Sequence, residues 1–295
     1  MYKVIIWGMG RTYNQYINAV KLQEMLGRIH GGGITGRDTL YEYLDGYKYI
    51  APSQIDVSNI DYVIVATERY FEEVVDEAQQ LGFNREQLIS IKIFALPYFD
   101  FDNYVALIRS HISILSNICW GGVTYNALGL KFRSPLINMF ELEEDYMKIL
   151  SDPKHYFGMK LQFDSWGNNS NGAYPICRLG DVRLHCNHSK SIDEVEAKWY
   201  DRVERLNYDN LFVMMCTERK DILKEFSNLP YKKKVCFVPF DSSYDCACTL
   251  KFADRKPNVP FWYFVNGIPS GEFNDYNMIS LLNNGTVKHD RVSNS

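Results

Sequence analysis

Short apolar runs that end on glycine or a capping residue and then pass into a helical pattern recur along this chain, and this alternation is what a parallel α/β sheet requires. The first run, Val4-Ile5-Ile6-Trp7, is followed by the turn Gly8-Met9-Gly10 and a helix-patterned stretch from Tyr13 to Leu26. Ile60 to Ala66 reads as a buried strand whose end carries Thr67-Glu68-Arg69, and a helix from Tyr70 to Leu81 follows, stopped by Gly82. A strand near Leu88 to Phe94 completes this group. Pro97 and Asp100-Phe101-Asp102-Asn103 then interrupt it and place a boundary near residue 100, before a helical segment from Tyr104 to Ser110. Later, Leu211 to Cys216, a helix from Asp221 to Leu229 and Val235 to Phe240 repeat the strand, helix, strand order. The expected fold class is α/β: an N-terminal parallel-sheet domain over residues 1–100 and a second α/β domain over residues 101–295.

Composition narrows the function. The 295 residues are 46% hydrophobic and 23% charged, as in an ordinary globular chain with room for a large core. A net charge of −4 gives no electrostatic case for nucleic acid, and Lys232-Lys233-Lys234 is too short a run to alter that. The N-terminal apolar run is too short for a secretory signal, and no run approaches a membrane span, so no membrane insertion is expected. Seven cysteines, an odd number at irregular spacing and all after residue 118, point to reduced thiols in a cytoplasmic protein. Cys246 and Cys248 are one residue apart, which matches no zinc or thioredoxin-type pair.

Cys119 is the first chemical candidate. Ile112, Ile114 and Leu115 read as a short buried strand, Ser116 and Asn117 as capping residues, and Trp120 to Leu128 as a helix closed by Gly129. A cysteine at a helix N-terminus sits where unpaired N–H groups and the helix dipole favour a thiolate or a bound anion. The competing reading is a small core residue, the commonest role of a free cysteine.

Tyr174 to His188 is the second. Strand alternation from Asp181 puts Asp181, Arg183 and His185 on one face and Val182, Leu184 and Cys186 on the other. The expected arrangement has His185 accept the Cys119 proton while Asp181 holds its tautomer, with His188 able to serve instead. A metal at these histidines and Asp181 has no second ligand cluster to support it, so no metal is expected. Phe163 to Gly172 reads as a polar loop. Ser191, three residues before Glu194, opens a helix through a capping box. On that helix Lys198, Arg202 and Arg205 border the apolar stripe, apart from Asp193, Glu196, Asp201 and Glu204. Cations there suit a clamp on phosphate or carboxylate.

The N-terminal turn resembles the opening of small Rossmann-like modules in bacterial surface-polysaccharide proteins. That resemblance implies that Gly8, Gly10, Arg11 and Thr12 face a phosphate and that Thr67 lies near the same crevice, for a nucleotide, dinucleotide or nucleotide-sugar. The third glycine of the usual pattern is replaced by Tyr13, and Asp38 comes late for the ribose-binding acid. A module kept only for assembly shares the same pattern.

Ser116-Asn117-x-Cys119-Trp120-Gly121-Gly122, Tyr125, Leu128-Gly129-Leu130, Ser134-Pro135, Asp145-Tyr146, Tyr174-Pro175, Asp181, His185, His188, Lys198-Trp199, Arg202, Arg205 and Asp209-Asn210 together resemble domain of unknown function family 1919. The similarity runs from about residue 110 to 250. It departs at Ile118, where the family pattern has asparagine, and at Ser189, where it has an aromatic residue. Family members are bacterial and carry capsule or exopolysaccharide labels. The resemblance implies an enzyme acting on a sugar or nucleotide-sugar through a Cys–His pair, with Cys119, His185 and Asp181 in catalysis. Trp120, Gly121, Gly122, Tyr125, Ser134, His188, Lys198, Arg202 and Arg205 would line the substrate. A non-catalytic nucleotide-sugar-binding or assembly protein is the alternative. The order cysteine, Ser-Pro, histidine also resembles a papain-like cysteine hydrolase.

Overall fold

A computed structural model describes residues 1–37, 42–250, 258–272 and 276–285, so Asp38 lies outside the described residues. The α/β class expected from the sequence is present, and the chain divides into two compact units. The first comprises Met1–Ile108 with Leu128–Leu130; the second comprises the remainder.

In the first unit β1 (Tyr2–Trp7) leads into α1 (Arg11–Met25) and β2 (Ile29–Thr35). Two short strands, β3 (Tyr43–Leu44) and β4 (Tyr47–Lys48), pair antiparallel. They precede β5 (Tyr62–Val65), α2 (Phe71–Gln80), β6 (Leu88–Ser90) and α3 (Phe101–Arg109). The sheet is parallel in the order β2-β1-β5-β6. β1 and β5 are central and covered on both faces, which is why they read as unbroken apolar runs. The strand expected from Leu88 to Phe94 is shorter. It ends at Ser90, whose hydroxyl accepts from Lys92 N, and Ile91–Ala95 turn into a 3₁₀-helix.

The second unit begins with β7 (Ser113–Ser116) and α4 (Trp120–Ala127), then α5 (Glu143–Ser151) and α6 (Pro153–Gly158). β8 (Gln162–Asn169), β9 (Gly172–Leu179) and β10 (Val182–His185) form an antiparallel sheet in the order β10-β9-β8. After α7 (Ile192–Glu204) come β11 (Leu211–Cys216), α8 (Lys220–Ser227), β12 (Lys233–Val238), β13 (Ala247–Thr249), α9 (Phe261–Gly267) and α10 (Met278–Asn284). A parallel sheet in the order β13-β12-β11-β7 carries the core, so Cys119 follows the carboxyl end of an edge strand.

Two expectations are corrected here. Phe163 to Gly172 is mostly strand, not loop: β8 is an edge strand without a buried residue, so no apolar alternation marks it. The cations of α7 are not kept apart from its acids. Lys198 pairs with Glu194 and Arg205 with Asp201, because residues four apart are neighbours on a helix. Among the described residues, no helix is long and apolar enough to cross a membrane.

Candidate functional site

The turn between β7 and α4 is built by side chains. Ser116 Oγ accepts from Gly121 N at 3.0 Å and donates to Ile118 O at 2.7 Å. The Asn117 amide donates to Cys216 O at 3.0 Å and accepts from Cys216 N at 2.9 Å, continuing the β7–β11 ladder by one side chain. Cys119 O accepts from Val123 N, which puts the thiol at the residue just before α4.

Cys119 Sγ lies 3.4 Å from His188 Nε2. His188 stands in the turn after β10, where Cys186 N donates to Pro175 O and Ser189 N to Cys186 O. The thiol is partly buried and the imidazole exposed. Burial pushes the Cys119 thiol up to about 11, and the Glu141 carboxylate adds to the rise wherever it is ionised. The expectation of a stabilised thiolate is therefore corrected. The thiol is held in its neutral form, so a nucleophilic role would need a base within reach to take its proton.

The partner of Cys119 is His188, where the sequence favoured His185. The His185 ring stacks on Phe140 with centroids 4.5 Å apart, and the backbones of the two residues exchange hydrogen bonds. Both ring nitrogens are buried without a hydrogen-bond partner, and burial lowers the basicity of the ring. Asp181 does not orient His185. Strand geometry begins only at Val182, and the exposed Asp181 carboxylate accepts from Lys148 Nζ at 2.7 Å and Tyr156 Oη at 3.2 Å. The Lys148 ammonium holds that carboxylate below its ordinary range.

Glu141 stands two residues before α5, which starts at Glu143. Its N–H donates to Asn117 O at 3.2 Å, alongside the thiol turn. The side chain is 3% exposed, neither carboxylate oxygen has a partner, and burial holds its pKa well above the ordinary value. The only sequence signal is its place after Met139-Phe140, an apolar context unusual for an ionised side chain.

Several residues expected to line a substrate are scaffold. Trp120 is fully buried and stacks on Phe212 at 6.0 Å. Tyr125 Oη accepts from Ile114 N and donates to Ile112 O, tying α4 to β7. Ser134 is buried and accepts from Leu136 N, and the Gly121 N–H is taken by Ser116. Gly122 permits close approach: a Cβ there would sit 3.2 Å from Ile137 Cγ2 and 3.4 Å from Asn138 Oδ1. In the first unit Gly8 has φ +116° and a Cβ there would meet Ala66 O at 3.0 Å, while Gly10 has nothing within 4 Å. Arg11 is exposed, Thr12 is half-buried, and Thr67 Oγ1 accepts from Tyr70 N at 3.4 Å. Tyr13 turns into the unit and donates to Asp45.

The pattern of a domain of unknown function, DUF1919, matches residues 90–283, more than half of the chain. The chain belongs to the DUF1919 family. A C2185-like N-terminal pattern matches residues 1–89. A Haemophilus influenzae relative, named only as an uncharacterized protein, is 30% identical over 136 residues, 45% of this chain and 64% of the relative. This chain thus spans a little under two thirds of that relative's length. The DUF1919 region contains the whole thiol turn and His188.

Within the DUF1919 region, α7 and the segment from Pro135 to Met139 enclose a small recess, lined on its polar side by Asn138, Ser189, Lys198, Trp199 and Arg202. Arg202 is 7% exposed; its Nη1 donates to Ile137 O at 3.0 Å and its guanidinium lies 5.6 Å from the Phe132 ring centre. Arg205 does not line the recess. Among the described residues no group of three or more His, Cys, Asp or Glu side chains is placed to hold a metal ion.

Proposed function

We propose that the DUF1919 region is a thiol-dependent acyl-transfer or ester-hydrolysis site acting on a sugar or nucleotide-sugar in bacterial surface-polysaccharide assembly. The 3.4 Å contact between Cys119 Sγ and His188 Nε2 carries the reading. As Sγ bonds to an acyl carbon, His188 Nε2 takes the thiol proton. The ester C–O bond then breaks, and the imidazolium returns the proton to the departing sugar oxygen. Water or a second hydroxyl takes the acyl group from the thioester, with His188 as base again. The sugar class rests on the family's resemblance to surface-polysaccharide proteins.

The test is the alkylation rate of Cys119, followed by mass spectrometry with the six other thiols as internal controls. In the intact protein at pH 7.5, His188→Ala slows Cys119 by about tenfold or more, the scale of general-base assistance. His185→Ala and Asp181→Asn leave the rate near wild type. Equal rates with and without His188 overturn the proposal.

A second reading places a nucleotide, dinucleotide or nucleotide-sugar at the N-terminal Rossmann-like turn of Gly8, Gly10, Arg11, Thr12 and Thr67, in a protein that binds without catalysis. It is favoured by the N-terminus of α1, where Gly10 supplies no side-chain cap to the first-turn N–H groups. Gly10→Val, accommodated by the open space around Gly10, abolishes calorimetric nucleotide binding without lowering Tm if this reading holds.

A further inference from the structure

The recess beside α7 is lined by groups whose chemistry is one-sided. Arg202 remains charged at any ordinary pH, and a buried charge is stable only when paired or fully hydrogen-bonded. Its guanidinium donates to a carbonyl, at Ile137, and lies over an aromatic ring, at Phe132, while Asp201 attracts and Arg205 repels it without a direct ion pair to Arg202 among the described residues. Trp199, 1% exposed, lines the same recess, and its indole N–H is buried with no acceptor. Lys198 adds an ammonium group and Ser189 a hydroxyl, and no acidic residue lines the recess. Two carboxylates of the helix, Glu194 and Asp201, are engaged elsewhere, Glu194 by Lys198 Nζ and Lys190 N and Asp201 by Arg205.

Two lining residues of the recess connect to the segments that carry the thiol pair. Ser189 directly follows His188, and Asn138, held at φ +63°, approaches Gly122 in the first turn of α4. We propose that Arg202, Trp199, Lys198 and Ser189 bind a compact oxyanion, a phosphate or carboxylate group of the molecule whose acyl group passes to Cys119. The site deepens the thiol reading and rests on it only for the ligand being a substrate. A guanidinium, an indole N–H and a hydroxyl present donors in fixed directions, which suits an ion with several acceptor oxygens. The expected clamp of Arg202 and Arg205 is thereby divided, since Arg205, unlike Lys198, does not line the recess.

The experiment titrates the full chain with inorganic phosphate and, separately, with acetate, against chloride at matched ionic strength. The readout is the Trp199 indole N–H resonance, assigned with Trp199→Phe. At least one anion shifts this resonance saturably, and Lys198→Met weakens that anion about fivefold or more. Arg205→Met stays within about twofold. Arg202→Met abolishes the shift if it folds; Lys198→Met alters an exposed side chain and keeps the test decisive if it does not. Saturation by phosphate alone assigns a phosphoryl group, and by acetate alone a carboxylate. A resonance indifferent to both anions, or a Lys198→Met titration equal to wild type, overturns the site. Repeating the titration in His188→Ala separates the ideas: anion binding that persists while alkylation ignores His188 removes only the thiol reading, and the converse removes only the recess.

Discussion

Each unit runs a buried strand into a helix, but the two turns are made of different material. In the first unit β1 passes to α1 through glycines, with Gly8 in a left-handed conformation and Gly10 leaving the helix start without a side-chain cap. In the second, β7 passes to α4 through side chains, Ser116 bonded to both Gly121 and Ile118 and Asn117 to both backbone groups of Cys216. A backbone-built turn leaves its N–H groups open to an outside acceptor. A side-chain-built turn uses them internally and holds one reactive atom in place. The same strand-to-helix junction can therefore serve as a cradle or as a mount.

The largest effect expected from this contrast is on Asn117. Asn117→Ala leaves the buried N–H and carbonyl of Cys216 unpaired, a loss of about 2–6 kcal/mol measured by denaturant unfolding, at about 1–3 kcal/mol for each group. A change no larger than that of Gly10→Ala would break the comparison.

Next is the buried carboxyl beside the second turn. The folded pKa of Glu141 is raised, so the unfolded chain releases that proton first, and stability falls as pH climbs from about 4.5 toward the folded value. His185 has the opposite sign. Its folded pKa is lowered, so the unfolded chain takes up a proton first as pH drops through 6.5, and stability falls in that direction. Glu141→Met gains about 1–3 kcal/mol at pH 7.5, the usual cost of a buried polar group without a partner, and removes the loss toward high pH. A Glu141→Met protein whose stability follows pH as wild type does would show that folding does not raise the Glu141 pKa.

The glycine turn holds two unequal effects, of which that at Gly10 is the smallest expected here. Gly8→Ala forces a side chain into a left-handed backbone against Ala66 O and costs about 1–3 kcal/mol. Gly10→Ala meets open space and costs less than about 1 kcal/mol. Equal Tm shifts for the two would mean that the turn is not held by the Gly8 conformation.

The same contrast explains what could be read in the sequence. β1, β5, β11 and β12 were legible because strands covered on both faces must be continuously apolar. β8 was not, because an edge strand without a buried residue imposes no alternation on its side chains. Cys119 was legible from its place after an apolar run and two capping residues, immediately before a helix. The choice between His185 and His188 was not. It depends on where β10 stops: His185 is its last residue and pairs with Phe140, whereas His188 lies beyond the strand and turns back to the thiol. The burial of Glu141 was not legible, because a carboxylate just ahead of Glu143, Glu144 and Asp145 has the sequence context of a solvated segment. The ion pairs within α7 were legible in principle from their four-residue spacing.

The bond between Asn117 and Cys216 closes a loop of 99 residues. Loop closure of that length comes late in folding, after local helices and hairpins have formed. During synthesis the thiol turn has no partner strand until the segment through Cys216 has left the ribosome, and His188 emerges well before that point. The turn that carries Cys119 is thus assembled in time as well as in space: a growing or truncated chain that ends before β11 lacks the backbone groups that Asn117 bonds, and the placing of the thiol becomes a property of the finished sheet.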